Sequence, residues 1–331
     1  MAQRRTASYP DAAEPQAGRR ALPAYTIDDA IPSYRRHLRA GGRTDATVDR
    51  TYVPHLEKFN RFLTEQGMPC DVRAIRREHI EAYLEHLARE GIGRRGRVGL
   101  RPASLSLAYR SIRPFWKWLV EEDEIERSPM ERMRPPIVPV EAPPVIRDEQ
   151  MVALLKACEG TTFDERRDMA LLRLLYDTGM RRGECANLKV EDIDWERDVV
   201  TVFGKGRRIR ACPFGKQAAK ALDRYLRLRA RHAHGDEPWL WLGKRGRLLD
   251  SGILQVVRRR SREAGLGKLH PHLFRHTFAH EMLSAGMQEG DLLMLGGWRD
   301  RTMLSRYGAS AAEERARDAY KRLSPGDRLR S

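Results

Sequence analysis

The segment Pro271–Leu283 (PHLFRHTFAHEML) places a titratable ring and a fixed cation together at the start of a predicted helix. His272 precedes Arg275 by three residues, so the two side chains lie on one helical face, one turn apart. The unpaired N–H groups of a helix start add partial positive charge to the same region. This combination is suited to bind one anionic group and to exchange a proton beside it.

Three more segments of the second half carry residues of similar chemical character. They are TGMRRGECANL around Arg181, FGKGRRIRACPF around Lys205, and LGGWRDRTMLSRYGA with Trp298 and Tyr307. Taken singly, each has an ordinary structural explanation: a helix-capping arginine, a hairpin-turn lysine, a half-buried tyrosine and, for His272, a packing histidine. Their occurrence together, in this order and at this spacing, requires a common explanation.

Together the four segments resemble the tyrosine recombinase, or phage integrase, family. The family pattern is an Arg after a T-G turn, a Lys in a β-hairpin, an H-x-x-R, a His or Trp, and a Tyr nucleophile. The resemblance is close over about residues 145–322 and looser over the helical first half. It implies the following catalytic positions: Arg181, Lys205, His272, Arg275, Trp298 and Tyr307, with Glu184 as a supporting acidic residue. Three neighbours have no counterpart and are interpreted as structural or DNA-facing: Arg182, His276 and His280.

The resemblance implies a site-specific recombinase that cuts and rejoins DNA. Attack on a phosphodiester builds negative charge on the nonbridging oxygens, which the guanidiniums of Arg181 and Arg275 can hold in fork geometry. His272 would bind the phosphate or exchange a proton with Tyr307, whose hydroxyl would attack to form a covalent 3′-phosphotyrosine. Lys205 would protonate the departing 5′ oxygen.

Trp298 departs from the commonest form of the family pattern, which has a histidine at that position. An indole N–H donates a hydrogen bond but does not titrate, so proton transfer by this residue is excluded. Because the covalent intermediate keeps the bond energy for rejoining, the resemblance implies no need for ATP. No cofactor and no metal site are predicted.

The composition favours a polyanionic partner. Lys and Arg total 62 against 46 Asp and Glu, which gives a net charge of +16, and the basic residues recur along the whole chain. Nucleic acid is therefore favoured over a membrane, with a basic solvated surface as the alternative interpretation. The four cysteines lack CxxC spacing, which predicts reduced thiols in a cytoplasmic protein. No apolar run is long enough for a membrane span, and residues 1–24 read as a disordered basic lead-in.

The length of 331 residues predicts two domains, mainly α-helical with a small β-sheet. Over residues 25–130, apolar residues recur at helical spacing in four runs and predict a compact helical bundle that begins with Thr26 as N-cap and Asp29 three residues on. The family resemblance implies that this bundle binds DNA. Three prolines within these runs predict a kink or a late helix start: Pro32, Pro54 and Pro114. The Gly-rich loop GIGRRGRVGLRP is predicted to contact DNA through Arg94, Arg95 and Arg97, or else to be an ordinary mobile loop.

The segment SPMERMRPPIVPVEAPPVI contains six prolines and no periodicity, which predicts an interdomain linker over residues 131–146. The family resemblance implies a catalytic domain over 147–331. Its helical patterns cover 149–158, 168–177, 217–231, 251–264 and 271–285. The runs DVVTVFG and RIRACPF predict a hairpin whose turn carries Lys205 and two DNA-contacting arginines, Arg207 and Arg208.

The tail ASAAEERARDAYKRL predicts a C-terminal helix. In the resembled family such a segment docks on a neighbouring protomer, which implies a homotetramer on two double-stranded DNA sites; packing on its own domain is the alternative. Two other functions stay open. A type IB topoisomerase uses the same tyrosine chemistry with intramolecular rejoining, and a non-catalytic DNA-binding protein can share the scaffold, although the complete residue set argues against it.

Overall fold

The computed structural model describes residues 23–91, 98–139, 143–204, 209–298, 304, 316–317, 320–321 and 323–328. The chain divides into two compact units, Met1–Pro139 and Val140–Ser331. The boundary falls inside the proline-rich segment, and each unit has its own hydrophobic core. The described residues are mostly helical with small antiparallel sheets, so the predicted fold class is confirmed.

The N-terminal unit is a bundle of amphipathic helices around an aromatic core. Its helices are α1 (Ile27–Ala40), α2 (Asp45–Thr47), α3 (Val53–Glu65), α4 (Arg77–Arg89) and α5 (Pro102–Glu121). The predicted start of α1 is confirmed, because the Thr26 hydroxyl accepts from the Asp29 N–H while the Asp29 carboxylate accepts from the Thr26 N–H at 3.0 Å. The rings of Tyr34 and Phe115 meet edge to face at 5.2 Å in the core.

The three prolines of the helical runs have different consequences. Pro54 lies in the first turn of α3, directly after a π-helical segment at Val48–Tyr52, and the backbone is helical on both sides of it. Pro32 and Pro114 lie within α1 and α5, and both helices continue past them.

The C-terminal unit combines short helices with two small sheets. Its helices are α6 (Asp148–Lys156), α7 (Phe163–Thr178), α8 (Arg182–Ala186), α9 (Lys216–Arg229), α10 (Asp250–Glu263), α11 (Pro271–Ser284) and α12 (Glu289–Gly296). Its strands are β1 (Ile193–Asp194), β2 (Val199–Phe203), β3 (Ile209–Pro213), β4 (Leu242–Gly243) and β5 (Gly246–Arg247). The predicted hairpin is confirmed: β2 pairs with β3 in antiparallel register up to Phe203 and Ile209.

Helix α7 forms the centre of this unit and positions the site. Its leucines Leu171, Leu172, Leu174 and Leu175 are fully buried. Burying each such side chain contributes about 1.5–3 kcal/mol, which fixes the helix in the core. Helix α9 packs antiparallel to α7, since the ring of Phe163 lies 5.6 Å from that of Tyr225 and the Gly215 N–H donates to Asp177 at 2.8 Å. Among the described residues, no helix is long and apolar enough to cross a membrane.

Candidate active site

A glycine turn at the end of α7 presents Arg181. Gly179 caps the helix in the left-handed region, at φ +55°. A Cβ atom at this position would lie 2.4 Å from Cδ1 of Phe278, so both the backbone angle and the close packing require glycine. The chain then turns into α8, with Arg181 as its N-cap residue and its side chain 45% exposed.

Glu184 connects two arginines beneath the surface. Its carboxylate is 6% exposed and accepts from the Arg181 backbone N–H at 2.8 Å and from Arg181 Nη1 at 2.8 Å. Arg210 on β3 donates to the same carboxylate through Nη1 at 3.1 Å and Nη2 at 2.7 Å. Arg210 also donates from Nε to the Leu295 carbonyl at 3.0 Å, so it links β3 to α12.

The charge state of Glu184 is fixed by these bonds. Burial alone would raise its pKa, but the hydrogen bonds and charges of Arg210 and Arg181 lower the pKa of Glu184 from 4.5 to about 2. The carboxylate is therefore ionised at any pH near neutral. It holds Arg181 in one orientation and leaves part of that guanidinium open to solvent.

Arg275 is buried at the meeting point of three elements. It lies on α11, is 1% exposed, and donates to the Gly179 carbonyl from Nη1 at 2.8 Å and to the Gly296 carbonyl from Nη2 at 2.6 Å. Its guanidinium carbon also lies 3.9 Å from the ring centre of Trp298. One side chain thus joins the end of α7 to the end of α12.

His272 lies on the exposed first turn of α11, one turn before Arg275. Partial desolvation, followed by the positive charges of Arg275 and Arg181, lowers the pKa of His272 from its ordinary value of 6.5. The ring is therefore neutral near pH 7 and able to accept a proton. Its neighbour His276 packs against it edge to face at 4.4 Å, and burial, with the charges of His272 and Arg275, lowers the pKa of His276 to about 4.

Trp298 packs in a small apolar cluster formed by α11, α12 and residues that follow α12. The buried members of this cluster are Phe278, Ala279, Leu283, Leu292, Trp298 and Leu304. Gly296 lies under the indole, since a Cβ atom there would be 1.7 Å from the ring carbon Cζ3. The sequence predicted a hydrogen-bond donor at Trp298, and the structure adds a cation–π contact of the indole face with Arg275.

The structure brings together five of the predicted site residues: Arg181, Glu184, His272, Arg275 and Trp298. The other predicted residues lie outside the described ranges: Arg94, Arg95, Arg97, Lys205, Arg207, Arg208 and Tyr307. Arg182, which had no predicted catalytic role, pairs with Asp250 at the start of α10 at 2.7 Å. Within the described ranges, no three His, Cys, Asp or Glu side chains are grouped as a metal site requires.

Arg210 was not among the site residues predicted from the sequence. Its signal was available, because Arg210 and the buried Cys212 occupy the same face of β3 at a spacing of two. A cation at an inward position of a strand needs a carboxylate partner, and Glu184 was already a candidate.

Two family models match the chain. The model described as the N-terminal SAM-like domain of phage integrases matches residues 31–123, and that of the phage integrase family matches residues 144–314. The chain belongs to the phage integrase family. The prediction of a tyrosine recombinase is therefore confirmed.

Relatives of this recombinase cover most of its length. The tyrosine recombinase XerC of Corynebacterium efficiens is 34% identical over 249 residues, which are 74% of this chain and 74% of that protein. XerC of Roseiflexus castenholzii is 31% identical over 268 residues, which are 78% of this chain and 82% of that protein. Among solved structures, XerH recombinase in a post-cleavage complex with difH substrate shares the fold with a TM-score of 0.68 at 17% identity, over 89% of this chain and 84% of XerH.

Proposed function

We propose that this recombinase cleaves one DNA strand with Tyr307, holds the end as a 3′-phosphotyrosine, and rejoins it to another strand without ATP. The observation that carries the proposal is that Arg181 and Arg275 both donate hydrogen bonds to backbone carbonyls of the glycine turn at the end of α12. Arg275 donates to the carbonyls of Gly179 and Gly296, and Arg181 donates to the carbonyl of Gly297 at 3.3 Å. Two guanidiniums are thereby fixed between the same two backbone turns.

This arrangement is suited to the transition state of phosphodiester attack. Donors fixed before the reaction stabilise developing charge without a cost of reorganisation when the charge forms. Arg181 keeps part of its guanidinium exposed for a nonbridging oxygen, while Glu184 fixes the rest. Arg275 adds a buried charge that cannot be lost, because an arginine does not deprotonate in a protein.

His272 and Tyr307 complete the proposed cleavage step. The lowered pKa of His272 leaves a neutral ring that can take the tyrosine proton as the phosphorus–oxygen bond forms. Leu304, three residues before Tyr307, is 1% exposed in the cluster that contains Trp298. This anchorage supports a position for Tyr307 beside the two arginines. The tyrosine oxygen bonds to phosphorus, and the 5′ oxygen leaves with a proton.

Lys205 is the proposed donor of that proton. Its hairpin is closed by the pairing of Phe203 with Ile209, and Arg210, the next residue of β3, binds Glu184. Through Arg210 and Glu184 the hairpin is therefore linked to Arg181, the proposed phosphate ligand. Arg207 and Arg208 in the same turn, and Arg94, Arg95 and Arg97 in the N-terminal unit, are proposed to contact DNA phosphates.

The proposed assembly is four protomers on two double-stranded DNA sites. A lambda integrase tetramer bound to a Holliday junction is among the structures that share this fold, with a TM-score of 0.64. Tyr320 and Leu323 in the C-terminal segment are 64% and 60% exposed, which supports docking of this segment on a second protomer. The four free cysteines suit the reducing cytoplasm, where chromosomal DNA lies.

The relatives are named recombinases, so the topoisomerase and non-catalytic alternatives are not favoured. The test begins by sequencing the DNA that Tyr307→Phe protein retains, which gives the target site. Tyr307→Phe should bind this DNA and form no denaturant-resistant adduct, whereas the control Tyr320→Phe should form the adduct. A plasmid with two sites separates the chemistries: recombinant products support the proposal, and relaxation alone contradicts it.

A further inference from the structure

A groove lined by cations runs between α7 and α9. Two adjoining cavities of about 410 Å³ each share Thr161, Arg166 and Arg224, so they form one continuous surface feature. We call it the basic groove and define it by its cations: Arg166, Arg173, Lys220, Arg224, Arg227 and Arg231. Glu159 is the carboxylate that also lines it.

The cations of the basic groove differ from the buried arginines of the same unit. Arg167, the next residue after Arg166, binds Asp164 and Asp168 at 2.7 Å each. Arg227 pairs with Asp223. Within the part of the chain that the structure describes, the other five cations of the groove form no ion pair and no side-chain hydrogen bond. Their charge is therefore available to a ligand.

The spacing of these cations concentrates positive charge. Lys220 and Arg224 are four residues apart on α9, and like charges at this spacing destabilise a helix. Arg227 near the end of α9 is followed four residues later by Arg231, just past the helix end. Carboxylates already occupy the helix starts at the two ends of the groove, Glu165 at Thr162 and Asp177 at Gly215, so the excess positive charge comes from the groove cations, which repel one another. A bound polyanion would relieve this repulsion.

We propose that the basic groove binds the phosphate backbone of a DNA segment beyond the one held by Arg181 and Arg275. This inference rests on the proposed function. Guanidiniums match phosphate oxygens in fork geometry. Contacts of arginine and lysine with phosphate oxygens carry no base information, so this binding would be largely independent of base sequence.

The position of the basic groove fits this role. At the helical rise of about 1.5 Å per residue, Arg173 lies about 8 Å and Arg166 about 18 Å along α7 before Thr178. The Arg173 end is therefore nearer to the Arg181 turn. From Gln217 to Arg227 the groove extends about 15 Å by the same rise, which corresponds to about four base pairs at about 3.4 Å each.

The test compares two double variants of the full chain that lose equal charge. Arg166→Gln with Arg224→Gln removes the two cations that both cavities share. Lys189→Gln with Arg197→Gln is the control, because each of these cations already lies near a carboxylate, at 2.9 and 4.0 Å. The dissociation constant is measured against salt on a duplex that carries the target site with long flanks, and on one trimmed to the site.

The groove variant should give a shallower plot of log affinity against log salt on the long duplex, by about 0.9 per lost phosphate contact, or about 1.8 in all. The control variant should keep the wild-type salt slope. Arg166→Lys with Arg224→Lys should keep most of the wild-type slope, because the charge is preserved. On the trimmed duplex the groove variant and the control should agree. At saturating DNA the groove variant should still form the Tyr307 adduct.

A groove variant that matches the control on the long duplex overturns the inference. Titration with inorganic phosphate at constant ionic strength separates the two sources of phosphate: binding of phosphate alone, without an effect on DNA, also overturns it. Poly-glutamate that binds the unmodified groove without displacing DNA would indicate an acidic protein partner instead. If the slope changes but wild-type protein forms no adduct, the proposed function fails and the basic groove stands.

Discussion

Arg210 and Glu184 form a two-pronged ion pair, with Nη2 to Oε2 at 2.7 Å and Nη1 to Oε1 at 3.1 Å. The pair joins β3 to α8 and, through the Leu295 carbonyl, to α12. A surface arginine placed for DNA binding would not need such partners. Arg210 is therefore a positioning residue that keeps Arg181, the hairpin and the end of α12 in register.

Loss of Arg210 should destabilise the C-terminal unit. Arg210→Gln leaves the buried Glu184 charge with one fewer cation, and breaking a buried pair in this way costs about 3–5 kcal/mol. The control Arg197→Gln removes a cation that is 81% exposed and 4.0 Å from Asp194, and surface pairs of this kind contribute below about 1 kcal/mol. Denaturant unfolding of both variants measures the difference. Equal losses would show that Arg210 has no special structural role.

The stability contributed by Glu184 should depend on pH in the acid range. Its pKa is lowered on folding from 4.5 to about 2, so the folded state gains stability above the unfolded pKa and loses it as pH falls towards the folded pKa. Glu184→Gln cannot titrate. The difference in free energy of unfolding between wild type and Glu184→Gln should therefore be full at about pH 6 and shrink towards about pH 2. A constant difference across this range would contradict the assignment.

Gly179 should tolerate no side chain. Gly179→Ala introduces a Cβ atom 2.4 Å from Phe278 at a positive φ, and should destabilise the protein by more than about 1 kcal/mol and weaken cleavage by displacing Arg181. Gly183→Ala is a matched control inside α8, where a Cβ atom meets nothing within 4 Å. It should be neutral or stabilise by up to about 1 kcal/mol. Melting temperature and adduct yield are the measurements.

Trp298 should act through both packing and its N–H. Trp298→Ala removes the buried ring on Arg275 and should cost about 3–5 kcal/mol in stability. It should also lose about a hundredfold in cleavage, the scale of one lost transition-state donor. Trp298→His keeps a ring donor and should retain substantial activity. Trp298→Phe keeps a ring without the donor, so a Phe variant as active as wild type would limit Trp298 to packing.

Much of the fold and part of the site could be predicted from local sequence patterns. Helical spacing and the Thr26 cap located α1, and the three-residue step from His272 to Arg275 placed both on one turn of α11. These features depend on residues a few positions apart. Five-residue α8 and two-residue β1 were not predicted, because elements this short contain no full hydrophobic period.

The interactions that fix the site depend on distant parts of the chain. Arg275 donates to Gly179 across 96 sequence positions, and Arg210 binds Glu184 across 26. Every residue has a backbone carbonyl, so no sequence motif could identify the two carbonyls that accept from Arg275. The family pattern identified Arg181 and Arg275, but only the packed structure identifies what holds them.

The last prediction isolates Lys205 as the general acid. A general acid matters only for a poor leaving group, and an alkoxide is among the poorest at neutral pH, whereas a thiol with a pKa of about 8.5 leaves as thiolate without help. On normal DNA, Lys205→Ala should lose about a hundred- to ten-thousandfold in cleavage rate, the usual range for proton transfer.

A DNA strand with sulfur in place of the bridging 5′ oxygen provides the measurement. On that strand Lys205→Ala should cleave nearly as fast as wild type, since no proton is needed. Arg181→Ala is the control and should stay defective, because its contact with the nonbridging oxygens is still missing. If sulfur fails to rescue Lys205→Ala, the proton comes from another group, and His272, one turn before Arg275, becomes the leading candidate.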